Sequence, residues 1–123
     1  LRILHRLFDR ADGPAQPKSK LVADTLRYIQ ENYPSACLTE AANRAFVSPS
    51  YLSKLFASEM QVSFSRYLMC YRIGIAKKLL QGNGSKLYET ALSVGYSDVA
   101  HLSKAFKTIE GILPGQYKAQ LSR

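Results

Sequence analysis

Cysteine is scarce in this chain: Cys37 and Cys70 are the only two among 123 residues. They form no Cys-x-x-Cys pair, which argues against a disulfide framework, a zinc site and a thiol redox motif. Free buried thiols in a reducing compartment are the expectation. Histidine is equally scarce, with His5 and His101 alone. No nucleophile–histidine spacing, paired carboxylates or phosphate-cradling loop is visible, so the chain is read as no enzyme. No apolar run approaches the roughly 20 residues of a membrane span, and no secretory leader is visible. The expectation is a cytoplasmic protein with no membrane association, no cofactor and no metal.

Acidic residues are the remaining shortage. Nine Asp and Glu face seventeen Lys and Arg, giving a net charge of +8 and a pI near 9.7. Such an excess favours an anionic partner, nucleic acid foremost. A hydrophobic content of 46 % is enough to build a core.

What is present reads as helix throughout. Residues 1–10, apolar at Leu1, Leu4, Leu7 and Phe8, form an amphipathic pattern. Gly13, Pro14 and Pro17 mark a linker after it, so the folded part is expected to begin near Ser19. "KLVADTLRYIQENY" places Leu21, Val22, Leu26 and Ile29 on one face and is ended by Pro34. "LTEAANRAF" gives a short helix. Ser48 is expected to cap the next, with Pro49 in its first turn and Leu52, Leu55, Phe56 and Met60 facing inward. Ser63 caps a longer helix that "GNG" at 82–84 stops. "SKLYETALSVGY" follows. Ser97 is expected to cap "DVAHLSKAFKTIE", Gly111 ends it, and Pro114 starts a last helix. No alternating strand pattern occurs. The fold expected is all-α, with about seven helices after the linker.

The chain repeats itself. A shift of 50 residues lays Leu52, Ser53, Lys54, Phe56 and Tyr67 over Leu102, Ser103, Lys104, Phe106 and Tyr117, and Tyr51 over His101. Upstream the shift is 49, pairing Ala42 with Ala91 and Ser48 with Ser97. Each copy reads as a short helix, a tight turn and a capped second helix. That is the helix-turn-helix arrangement, in which the second helix enters the major groove. With Leu52, Leu55 and Phe56 holding the core, Ser50, Ser53, Lys54 and Ala57 remain outside. The matching set is Ala100, Ser103, Lys104 and Lys107, with Val99 at the helix start. Lys donates to guanine, Ser pairs either way, and Ala or Val touches a thymine methyl. Candidate base readers are therefore Pro49, Ser50, Ser53, Lys54, Val99, Ala100, Ser103 and Lys104, on recognition helices spanning about 49–59 and 98–109. Candidate phosphate contacts are Ser48, Ser63, Ser65, Arg66, Ser97, Lys107 and Gln116.

The connecting helix, residues 63–81, would be roughly 28 Å long, against about 34 Å between successive major grooves on one face of DNA. Its Arg66, Lys77 and Lys78 read either as phosphate contacts or as a solvated, ion-paired face. Arg72, beside Ile73 and Ile75, reads as structural. The organisation expected is an N-terminal helix and linker from a missing regulatory part at 1–18, a first helix-turn-helix unit at 19–62, the connecting helix at 63–81 and a second unit at 82–123. Residues 1–10, with Arg2, Arg6 and Arg10, read either as a membrane- or protein-binding helix or as the end of a preceding domain or a dimer contact.

"SPSYLSKLF", "SFSRYL", "RIGIAKKLL", "ALSVGYSD", "HLSKAFK" and "GILPGQYK" together resemble the DNA-binding domain of the AraC/XylS family of bacterial transcription regulators, across residues 21–119. The most specific part is Ala91, Gly95–Asp98, Phe106–Lys107 and then Gly111, Pro114 and Tyr117. The resemblance implies two helix-turn-helix subdomains joined by a long helix, binding promoter DNA in adjacent major grooves. It also implies contact with RNA polymerase, usually for activation. "YLSKLF" and the tyrosine-rich first helix are similar to output domains of response regulators. Residues 1–18 would then join a missing effector, receiver or dimerisation domain. The chain departs from the family pattern at Gln61, where Gly usually closes the first recognition helix, and at Leu113, where Thr usually caps the last helix. Leu102 and Lys118 replace an aromatic residue and an Arg.

Overall fold

Serine side chains start several of these helices. The Ser19 hydroxyl accepts from the Val22 N–H at 3.2 Å and opens α1, Lys20–Asn32. Pro34, just beyond, cannot extend it. Then come α2 (Leu38–Arg44), α3 (Pro49–Met60), α4 (Phe64–Leu80), α5 (Leu87–Val94), α6 (Val99–Glu110) and α7 (Pro114–Leu121). The computed structural model describes residues 15–82 and 86–121. The pattern expected at residues 1–10, residues 11–14 of the linker and residues 83–84 of the glycine stop lie outside the described residues. Among the described residues there are seven helices and no strand, the all-α fold that the periodicity predicts.

The repeat is physical. In the turn after α2, the Val47 N–H reaches the Ala42 carbonyl at 3.1 Å and the Phe46 N–H reaches the Asn43 carbonyl at 3.2 Å. In the turn after α5, Tyr96 bonds Ala91 at 2.9 Å and Gly95 bonds Leu92 at 3.2 Å. Both are the paired closure of a Schellman turn. Its left-handed residue is Phe46 at φ 59° in one copy and Gly95 at φ 105° in the other. The recognition helices end alike, on Gln61 at φ 63° and Gly111 at φ 83°.

Their starts differ by one residue. Ser48 caps α3, accepting from the Tyr51 N–H at 3.1 Å. The cap of α6 is Asp98, whose Oδ1 accepts from the His101 N–H at 2.9 Å, and not Ser97 as the alignment suggests. Ser97 is thus an extra residue in the second turn, and this is where the register passes from 49 to 50. Leu113 supplies no side-chain cap for α7. Instead Gln116 Oε1 reaches back to the Leu113 N–H at 2.9 Å, the return half of a capping box.

Each unit closes over the same aromatic pair. Phe56 of α3 meets Tyr67 of α4 edge-on at 5.7 Å, and Phe106 of α6 meets Tyr117 of α7 at 5.6 Å. Leu52, Phe56, Met60, Leu102, Phe106 and Ile109 are all buried, while Leu55 is half-buried. Helix α4, 17 residues long, serves both units. It packs on α3 of the first unit and on α5 and α6 of the second.

The units meet at the turn of the second. A Cβ on Gly95 would lie 2.4 Å from the Pro34 carbonyl oxygen. Arg72 of α4 donates to the Tyr33 carbonyl at 2.8 Å and lies 5.3 Å from the Tyr96 ring centroid. It is structural, as expected of a residue among isoleucines. Tyr33 and Tyr71 pack at 5.5 Å beside it. Lower on α4, Lys77 pairs with Glu110 at 3.0 Å, with 14 % and 6 % of the two side chains exposed.

Gly95→Ala should therefore cost more than about 2 kcal/mol, combining left-handed strain with a backbone clash. Gly111→Ala, with nothing within 4 Å of the added carbon, should cost only about 1 kcal/mol. Equal losses in denaturant titrations of the two variants would refute the tight approach. Phe56→Ala and Phe106→Ala should each cost about 3–5 kcal/mol in the same measurement.

Candidate nucleic-acid interface

Burial of Leu52, Phe56 and Met60 turns the opposite face of α3 outward. Pro49, Ser50, Lys54 and Ala57 are exposed there and Ser53 is half-buried. On α6, Ala100, Lys104 and Lys107 are exposed while Val99 and Ser103 are half-buried. The base-reading candidates thus lie on one outward strip of each recognition helix. Lys54 and Lys104 carry no ion-pair partner among the described residues.

The phosphate candidates are less uniform. Ser48 and Ser63 spend an acceptor lone pair on helix caps, Ser63 on the Arg66 N–H at 3.1 Å. Each hydroxyl hydrogen remains able to donate. Ser65 and Lys107 are exposed and Arg66 is half-buried. Ser97 Oγ lies 3.1 Å from His101 Nδ1. Gln116 commits its oxygen to Leu113 and keeps its amide hydrogens. Of the connector's other cations, Lys77 is tied to Glu110 and Lys78 is exposed.

Two features escaped the sequence reading. His101 Nδ1 sits 2.8 Å from Asp98 Oδ1, so the ring is held at the start of α6. The Asp-x-x-His spacing, cap to third residue, is a signal that was available. The other is Glu59, near the end of α3. Its Oε1 accepts from the Lys18 N–H at 2.7 Å, the Ser19 N–H at 2.9 Å and the Ser19 hydroxyl at 3.1 Å. This contact spans forty residues of chain and has no local signature.

These bonds set the charges. The backbone N–H of His101, then its ring, hold the Asp98 carboxyl below its ordinary value. Partial desolvation opposes ionisation of Glu59, but the Ser19 and Lys18 amides and the Ser19 hydroxyl outweigh it, so this carboxyl is lowered too. Both cysteines are free, but only Cys70 is buried as expected, and burial pushes its thiol up to about 11; Cys37, before the first turn of α2, is exposed. No group of His, Cys, Asp and Glu among the described residues is arranged to hold a metal ion. No helix among them is long and apolar enough to cross a membrane.

Two matched helix-turn-helix units, each presenting a capped helix with an outward Ser and Lys, define a tandem DNA-binding domain. A family model described as "Helix-turn-helix domain" matches residues 41–120. The chain is 32 % identical over 114 residues to the HTH-type transcriptional regulator YtdP of Bacillus subtilis, covering 91 % of this chain and 15 % of that protein. Among solved structures it resembles the C-terminal domain of AraT, a response regulator from Geobacillus stearothermophilus, with a TM-score of 0.81 and 32 % identity over 85 % of this chain and 88 % of that one. It also resembles the C-terminal domain of the two-component response regulator yesN from Fusobacterium nucleatum, with a TM-score of 0.76 and 31 % identity over 81 % of this chain and 99 % of that one. The chain belongs to the AraC/XylS family of transcription regulators, as its C-terminal DNA-binding domain. It spans 15 % of the length of YtdP and 43 % of that of the Escherichia coli regulator YpdC, both curated relatives.

Because Asp98 and Glu59 are both lowered on folding, the stability they add is fully present above ordinary carboxylate values, about pH 4–5, and is lost as pH falls through their folded values. The melting temperature should therefore fall between about pH 5 and pH 3. Glu59→Gln should lower it at neutral pH and flatten part of that fall. An unchanged pH profile in this variant would show that the clamp adds nothing.

Proposed function

We propose that this chain binds double-stranded promoter DNA sequence-specifically, as the output part of a bacterial transcription regulator. Each recognition helix lies in its own major groove, the two grooves following one another on one face of the duplex. The observation that carries this reading is the repetition of one capped helix with the same outward Ser–Lys pair, fixed in relation to its copy by the close approach of Gly95 to Pro34. Helix α4, at about 25 Å, is of a size to set the two helices roughly one helical turn apart, about 34 Å. The net charge of +8 supplies the attraction to phosphate.

The domain acts without catalysis, in the cytoplasm, downstream of an effector, receiver or dimerisation domain, and it activates transcription through RNA polymerase. The longer relatives and the response-regulator origin of the two structural neighbours support the further domain in this reading.

Selection of bound sites from random DNA should yield two half-sites about one helical turn apart. Affinity for the selected site should fall steeply with salt. Lys54→Ala and Lys104→Ala should each cost about 1–3 kcal/mol and relax preference at one base position. Equal affinity for any polyanion would overturn the reading. A uniform loss on all sequences would make the lysine concerned a phosphate contact.

A further inference from the structure

Recognition helices of this type read bases chiefly with their N-terminal residues. The first turn of α6 holds Val99, Ala100 and His101. Val99 is half-buried and Ala100 ends in a methyl, so His101 is the one side chain of that turn able to offer a polar atom to a base edge. Its side chain is 63 % exposed, yet it is not loose. Nδ1 lies 2.8 Å from Asp98 Oδ1 and 3.1 Å from Ser97 Oγ. Asp98 is fixed in turn, because the same oxygen accepts the His101 backbone N–H at 2.9 Å.

This geometry decides the tautomer. An ionised carboxylate can only accept, so in the neutral ring the hydrogen sits on Nδ1. Nε2 is left with a lone pair and no partner among the described residues. A bare acceptor suits few groups in the major groove. It is complementary to the amino groups of adenine N6 and cytosine N4, and it is repelled by guanine O6 and N7, by thymine O4 and by phosphate oxygens. Lys104, one turn further on, has the opposite character, being able only to donate.

We propose that His101 is a base-reading residue of the second unit. Its Nε2 accepts a hydrogen bond from the exocyclic amino group of an adenine or cytosine, at a base other than the one Lys104 reads. Asp98 is its positioning residue. The inference rests on the reading that α6 enters the major groove. The first unit has no equivalent device, since Tyr51 occupies the matching place with its ring exposed.

The test uses the wild-type chain, His101→Ala, Lys104→Ala and Asp98→Asn at about pH 8. The His101 backbone N–H persists in His101→Ala, so its helix cap is retained. The probe is the site selected from random DNA. Each adenine or cytosine of the second half-site is replaced in turn by a purine or pyrimidin-2-one nucleoside lacking the amino group. One replacement should weaken wild type on the order of tenfold to a hundredfold. It should leave His101→Ala, already weakened, no weaker, and Lys104→Ala should remain sensitive to it. Asp98→Asn, which keeps a capping oxygen, should blunt the effect of that replacement alone. The proposal is overturned if no replacement depends on His101, or if His101→Ala loses affinity alike on every sequence with a shallower salt slope. If wild type discriminates no sequence at all, the groove-reading assignment of α6 falls, and the proposal falls with it.

Discussion

The close approach of the Pro34 carbonyl to Gly95 is the contact on which the arrangement of the two units depends. A tandem reader of DNA needs its recognition helices at a fixed separation and rotation. A single connecting helix cannot ensure this if each unit can swivel about its end. Here the loop after α1, in the first unit, lies against the turn of the second, so close that a single added carbon would meet backbone at 2.4 Å. Arg72 seals the contact from the side, with its guanidinium bonded to the Tyr33 carbonyl and set against the Tyr96 ring. The desolvation that raises the Tyr96 hydroxyl above its ordinary value reflects the same enclosure. Lys77 and Glu110 then tie the far end of α6 to the connector.

The same contact explains a difference between the copies. The turns after α2 and α5 have the same hydrogen-bond closure and the same need for a left-handed residue, yet one uses Phe46 and the other glycine. A side chain there costs on the order of 1 kcal/mol in strain, which a helix can absorb. It cannot be absorbed where the next unit's backbone fills the space. Phe46 is 95 % exposed, with room for its ring, whereas Gly95 has none. Gln61 and Gly111 show the tolerant case from the other side: the space beside Gly111 is open, and the first copy carries an ordinary residue at the matching point.

Much of this was legible in the sequence. Helix starts at Ser48 and Ser63, the stops at Pro34 and Gly111, and the inward Leu and Phe of each recognition helix are local patterns, and local physics decided them. The cap of α6 was misread because Ser97 and Asp98 are both good capping residues. The choice falls to the length of the preceding turn, which propensity does not report. The structural role of Arg72 was legible, but its partners, like those of Glu59, were opaque for a different reason. These partners are backbone groups about forty residues away, and no composition or spacing marks a main-chain atom as an acceptor or donor. The outward faces were legible as faces. What each side chain does on them depends on what holds it, as His101 illustrates.

A repeated frame also permits divergence of function. Because caps, aromatic pairs and turn closures hold each recognition helix independently of its outer surface, the outer residues can change without disturbing the fold. In the first turn of α3 they are Pro49, Ser50 and Tyr51; in that of α6 they are Val99, Ala100 and His101. The first set offers hydroxyl groups able to donate or accept, while the second offers apolar surface and one oriented nitrogen. Lys54 and Lys104, at the same place in both copies, give each helix the same cation. Ala57 and Lys107 differ as well, so the outward surfaces of the two helices diverge in their first turns and again further along.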